Sequence, residues 1–244
     1  MIIVPIGIQC LNAFFKKKIN KDSATLPFDW MLCYPKFIYE ILELLLENKI
    51  PIEEIVNNHF FYCDKRATTT KYTIENYTTC SNGFALYNSK YDVIFPHDKK
   101  NDETKRKYIR RLQRLKDLIL NSNEKLVFMY TSQSSLKSGN YTVDGRVVIK
   151  DVYSYLTKIY DLINMYNNNN EMIVFDSILN EDKNKLNEKI TLYELNACNN
   201  LYELLDQILQ KKNIIIDNQI IKGPFDNSQD HAWHHAPAVS KIDE

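Results

Sequence analysis

Cys10 ends an apolar run, Ile2-Ile3-Val4-Pro5-Ile6-Gly7-Ile8-Gln9, and the stretch Leu11 to Lys18 reads as a helix. A thiol at such a strand-to-helix turn sits where the first N–H groups of the helix lack partners and the helix dipole favours an anion. A thiolate there has a lowered pKa and acts as a nucleophile at neutral pH. A second segment, Phe95-Pro96-His97-Asp98, offers an imidazole base with a carboxylate beside it, and a third, Pro27-Phe28-Asp29-Trp30, offers another carboxylate. Cysteine catalysis needs a base for the thiol, a group that orients the base, and donors for the oxyanion. The assignments follow. Cys10 attacks, His97 removes and later returns a proton, and the backbone N–H of Cys10 or Leu11 helps hold the oxyanion. Asp29 or Asp98 orients the imidazole. Asp29 is preferred on reach, because Asp98 directly follows His97 and on an ideal strand would point away from it.

Each residue also has a plain structural account. A cysteine after an apolar strand serves as a small buried hydrophobe, His97 as a turn residue, and Asp29 as the acceptor that closes a turn. Trp30 is a substrate platform or a packing anchor. Arg110, Arg111 and Arg114 lie on one predicted helix, where they could bind a phosphate, sulfate or carboxylate, or form a solvated charged face. His231, His234 and His235 look like a metal-binding tract, but no nearby Cys or paired acidic motif completes a site, so neither metal nor cofactor is expected. Asp230 and His234 form a reserve pair, in the manner of hydrolases whose Asp and His come late in the chain.

The 244 residues carry 31 basic and 31 acidic side chains, so no global field recruits nucleic acid or anionic lipid. No stretch approaches the length of a membrane span, and the apolar N-terminal run has no charged region before it. The expectation is an intracellular, cytoplasmic protein. The five cysteines, Cys10, Cys33, Cys63, Cys80 and Cys198, are scattered without a CxxC pair, which favours reduced thiols over disulfides or a structural zinc site.

Around these residues the periodicity predicts an α/β domain: a central sheet flanked by helices, with the nucleophile at the first strand-to-helix turn. Pro35 opens a helix whose Phe37, Ile38, Ile41, Leu42, Leu45 and Leu46 bury one broad face. Residues 59–88 read as short strands and loops, and 91–95 as the strand that delivers His97. A long helix follows from about Asp102 to Leu120, with Tyr108, Ile109, Leu112, Leu115 and Ile119 on its apolar face. Strands are expected at 126–130, 172–175, 190–195 and 214–216, helices at 152–166 and 201–209, and a hairpin around Asp144-Gly145. Such alternation favours a layered sheet. One domain is expected over 1–222, with a polar tail over 223–244.

Taken together, Ile6-Gly7-Ile8-Gln9-Cys10, Pro27-Phe28-Asp29-Trp30 and the run Asn88 to Asp98 resemble a family of predicted papain-like cysteine peptidases. Its members share Gly-x-x-Cys near the start, Pro-Phe-Asp-Trp about twenty residues on, and Phe-Pro-His-Asp before an Arg-rich helix and an apolar strand. Lys107 to Arg114 and Leu126 to Met129 look like those last two pieces. The resemblance implies Cys10 and His97 as a functional pair and adds weight to Asp29. The Cys-Gly-[Ser/Ala]-Cys-[Trp/Tyr] run of papain itself is absent. The implied chemistry is a cysteine-dependent hydrolase or acyl transferase acting on a peptide, amide or acyl group, which relatives suggest could be glycan-linked. The competing reading is a non-catalytic α/β binding domain that takes an anionic sugar or phosphate on the Arg110, Arg111 and Arg114 face; nucleic-acid binding is third.

Overall fold

The computed structural model describes residues 1–6, 12–13, 16–17, 22–31, 33–60, 65–66, 86–88, 93–95, 98, 101–131, 142–143, 146–147, 151–176 and 183–194. The opening apolar run forms strand β1 (Ile2–Pro5). Asn12, Ala13, Lys16 and Lys17 are helical. Helix α1 (Pro35–Leu46) starts with proline at its first turn, where a missing N–H costs nothing, and buries the seven apolar residues of its inner face. A short helix α2 (Ile52–Ile55) passes into one wide π-helical segment, Val56–Phe60, that buries Phe60.

Strands β2 (Lys65–Arg66), β3 (Leu86–Asn88) and β4 (Val93–Phe95) form a small antiparallel sheet in that order. Helix α3 (Asp102–Asn121) begins after the N-cap Asn101, whose side chain accepts the Thr104 N–H at 2.8 Å. Asp102 and Glu103 in its first turn complement the positive end of the helix. Strand β5 (Leu126–Thr131) follows, then β6 (Thr142–Val143) and β7 (Arg146–Val147), which pair antiparallel where the sequence predicts a hairpin; Asp144 and Gly145 between them lie outside the described residues. Helix α4 (Val152–Tyr166), strand β8 (Asn170–Asp176) and strand β9 (Thr191–Glu194) complete the described elements. The predicted helix at 201–209, the strand at 214–216 and the tail at 223–244 lie outside the described residues.

The main sheet has the order β1-β5-β8-β9, all parallel. Parallel neighbours require crossover connections, and right-handed crossovers that always step the same way place their helices on one face. Helices α1, α3 and α4 accordingly pack against one another. All six residues of β5 are buried, as expected for a strand covered on both faces. The fold is therefore α/β, with a parallel sheet and packed helices.

The aromatic side chains link this framework to the motif segments. Phe28 meets Phe37 of α1 edge-on at 6.3 Å, Phe37 meets Phe60 at 5.4 Å, and Phe60 lies 4.9 Å from Tyr108 of α3 and 6.5 Å from Phe95 of β4. Phe95 and Tyr108 also meet, at 6.1 Å. One continuous run of buried rings thus joins the Pro-Phe-Asp-Trp loop to the strand that leads into Pro-His-Asp.

Candidate active site

The described part of the site gathers at the C-terminal ends of β1 and β5, the edge of a parallel sheet where ligand sites form. Ile6 continues from β1, donating its N–H to Met129 O at 2.9 Å. Met129 O also accepts from Asn12 Nδ2 at 2.9 Å, while Asn12 Oδ1 accepts from the Thr131 hydroxyl at 2.5 Å. Asn12 is buried, so these bonds satisfy a polar side chain that would otherwise be costly there. They tie the helical residues after β1 to the end of β5. Cys10 lies in the intervening stretch, outside the described residues; β1 before it ends at Pro5, short of the end of the apolar run, and Asn12, Ala13, Lys16 and Lys17 after it are helical.

Asp29 sits at the end of a turn. Pro27 occupies its second position, where a fixed φ is favoured, and the Asp29 N–H reaches Leu26 O at 3.4 Å. The carboxylate turns back through Oδ2 to accept the Leu26 N–H at 2.9 Å and Lys16 Nζ at 2.9 Å. Both side chains of the ion pair are almost wholly buried, at 3% exposure for Lys16 and 2% for Asp29. Burial pushes the Asp29 carboxyl up from its ordinary range, with Lys16 and, more weakly, Leu26 N–H and Arg111 opposing. Burial likewise pushes the Lys16 ammonium down, with Asp29 opposing. Oδ1 of Asp29 is buried and accepts no hydrogen bond among the described residues.

Asp98 is also buried, at 4% exposure. Its Oδ2 accepts the Tyr108 hydroxyl at 2.5 Å, and its Oδ1 is ion-paired with Lys107. Burial, with the Asp98 charge next in order, holds the Tyr108 phenol well above its usual range, so it stays a donor. Asp98 therefore anchors the end of the Phe-Pro-His-Asp segment to α3. His97, its neighbour, lies outside the described residues. Tyr108→Phe removes one donor from a buried carboxylate, and thermal or urea unfolding should show a loss of about 1–3 kcal/mol. An unchanged midpoint would contradict the anchoring role.

The three arginines divide. Arg110 is exposed. Arg114 donates to Thr25 O at 2.6 Å, holding the loop that carries Asp29, and Arg111 lies 5.5 Å over the Tyr108 ring. The structure brings Arg111 and Arg114 to the Asp29 loop and leaves Arg110 facing solvent. Trp30, next to Asp29, is half-buried. No group of three or more His, Cys, Asp or Glu that could hold a metal ion occurs among the described residues, and none of their helices is long and apolar enough to cross a membrane.

Lys16 and Tyr108 escaped the sequence reading. Lys16 begins the run Lys16-Lys17-Lys18, which reads as a solvated face. Its one signal is that it falls four residues after Asn12, on the same side of a helix. Tyr108 falls on the apolar face of its helix, as its spacing predicts, but its hydroxyl also finds the buried partner such a group requires.

Residues 1–143 match the model of a family described as "Putative papain-like cysteine peptidase (DUF1796)", well over half of the chain. The protein belongs to that family. No curated protein and no solved structure matches it. The papain-like family match spans β1 through β6 and covers the positions of all three segments singled out in the sequence. Family membership carries a general cysteine-hydrolase reading and points to a peptide substrate.

Proposed function

We propose that the protein is a cysteine-dependent hydrolase or acyl transferase in which Cys10 is the nucleophile, His97 the general base and acid, and Asp29 the group that orients the imidazole. In the reaction, the Cys10 thiolate adds to a substrate carbonyl carbon and the developing oxyanion is held by backbone N–H groups at the start of the helical stretch. Collapse breaks the C–N or C–O bond, with His97 returning its proton to the leaving group. The resulting thioester passes to water or to an amine or hydroxyl acceptor, which regenerates the thiol. Hydrolysis and transfer share every step but the last.

The observation that carries this reading is the packing of the motif segments into one network. Lys16, in the helical stretch after Cys10, pairs with Asp29, and the ring series from Phe28 runs to Phe95 and Tyr108, which in turn holds Asp98. Segments 13 and more residues apart in the chain share one buried assembly without any single motif being required to do so by its own helix or strand. Asp29 is favoured over Asp98 as the orienting group because both Asp98 oxygens are engaged by α3, whereas Oδ1 of Asp29 has no described partner.

A peptidyl acyloxymethyl ketone, which traps thiolates of this kind, tests the assignment. It should give a single adduct by intact mass, mapped to Cys10. The adduct should vanish in Cys10→Ala and form about 10²–10⁴-fold more slowly in His97→Ala. Labelling that persists in Cys10→Ala, or that spreads evenly over the cysteines, would reject the proposal.

A further inference from the structure

The Lys16–Asp29 pair is an unusual way to hold a carboxylate. A buried ion pair stabilises a fold no better than apolar residues of the same volume would, so its presence is not explained by stability. Its geometry is asymmetric: Oδ2 takes both the Lys16 ammonium and the Leu26 N–H, each at 2.9 Å, while Oδ1, equally buried, has no described partner. One oxygen is locked and the other is left to accept. Two further cations surround the pair from α3. Arg111 acts on the Asp29 charge, and Arg114, bonded to Thr25 O, acts on Lys16 and braces the loop. Lys17 adds a fourth positive charge near Lys16.

We propose that Lys16 is a positioning residue of the site, whose ammonium keeps the Asp29 carboxylate ionised and fixed through Oδ2 so that Oδ1 remains as the acceptor for the imidazole. The inference rests on the Cys10–His97 reading above and adds a residue that neither the motifs nor the family description marks. Without the ammonium, a carboxylate at 2% exposure takes up a proton and becomes neutral. A neutral Asp29 no longer stabilises an imidazolium, so His97 should lose its proton at lower pH. The charge, and not merely a hydrogen bond to Oδ2, is what matters.

Alkylation by iodoacetate separates these cases, because the anionic reagent reacts fastest when the thiolate is accompanied by an imidazolium and slows as that imidazolium deprotonates. The wild-type rate at Cys10 should therefore rise and then fall with pH. Lys16→Gln keeps a donor for Oδ2 but removes the charge, and should move the falling limb down by about one pH unit or more, as Asp29→Asn should. Lys16→Arg keeps the charge and should restore the wild-type limb. Near-native circular dichroism of each variant at the assay temperature identifies which are folded. Should Lys16→Gln be unfolded, the Arg variant against Asp29→Asn decides: a wild-type limb in the first and a lowered limb in the second support the proposal. A wild-type limb in folded Lys16→Gln alongside a lowered limb in Asp29→Asn overturns the role of Lys16 while leaving the cysteine–histidine pair intact. No selectivity for Cys10 and no falling limb in the wild-type protein would overturn that pair itself.

Discussion

Lys16→Met should cost about 3–5 kcal/mol of stability near pH 7, the loss expected when one partner of a buried ion pair is removed and the other is left uncompensated. Methionine follows the lysine stem closely, so the packing of the helical stretch is largely retained and the loss reports a buried carboxyl left without its cation. The pH dependence identifies the cause. Burial already pushes the Asp29 carboxyl up, with Lys16 opposing, and removing Lys16 pushes it further. A carboxyl whose folded pKa lies above its unfolded value of about 3.9 leaves stability intact below that pH and erodes it as pH rises through the folded value. The deficit of Lys16→Met against wild type should thus be small at pH 4 and grow steadily as pH rises toward neutrality, measured by urea unfolding at each pH. A deficit that stays constant from pH 4 to pH 8 would point to packing instead. Lys16→Met combined with Asp29→Leu should recover part of the loss, since an apolar pair has no charge to desolvate while the Leu26 N–H loses its acceptor.

Phe60→Ala should be comparably severe, at about 3–5 kcal/mol. The ring is fully buried in the π-helical segment after α2 and touches Phe37, Phe95 and Tyr108, so truncation opens a cavity and breaks the series of rings at its centre. Edge-to-face contacts add to the burial term. The consequence extends to function, because these rings hold the Asp29 loop and the Asp98 segment to the same helices. At temperatures where the variant is still folded, labelling of Cys10 by the peptidyl ketone should fall more than stability alone explains. Tyr166→Ala, at the exposed end of α4, should change neither stability nor labelling beyond about 0.5 kcal/mol equivalent. Equal effects of the two substitutions would contradict the packing account.

Much of the fold was legible because its elements carry strong periodicity. The apolar faces of 35–46, 102–121 and 152–166 follow helical spacing with few interruptions, and each becomes a helix within a residue or so of the sequence reading. Leu126 to Tyr130 is a continuous apolar run, the mark of a strand covered on both faces, and it lies between β1 and β8. The wide π-helical turn over 56–60 was not legible, since nothing in Val-Asn-Asn-His-Phe distinguishes it from an ordinary helical end. For the site, residue type suggested carboxylates at Asp29 and Asp98 but not their partners. Which side chain meets a buried carboxylate depends on how separate elements pack, and no local pattern encodes that Lys16 reaches across to Asp29 or that Tyr108 and Lys107 turn toward Asp98. The arginines show the same limit. They share one helix and look alike in sequence, yet Arg110 faces solvent while Arg114 braces a loop.

The central claim is a thiol whose acidity is raised by a neighbouring imidazole, and alkylation with neutral iodoacetamide across pH, with each cysteine followed by peptide mass, measures it directly. In the wild-type protein Cys10 should react first among the five cysteines, with a midpoint well below the value of about 8.5 for an ordinary thiol, and His97→Ala should return that midpoint toward it. A Cys10 midpoint at or above about 8.5, unchanged by His97→Ala, would contradict the account.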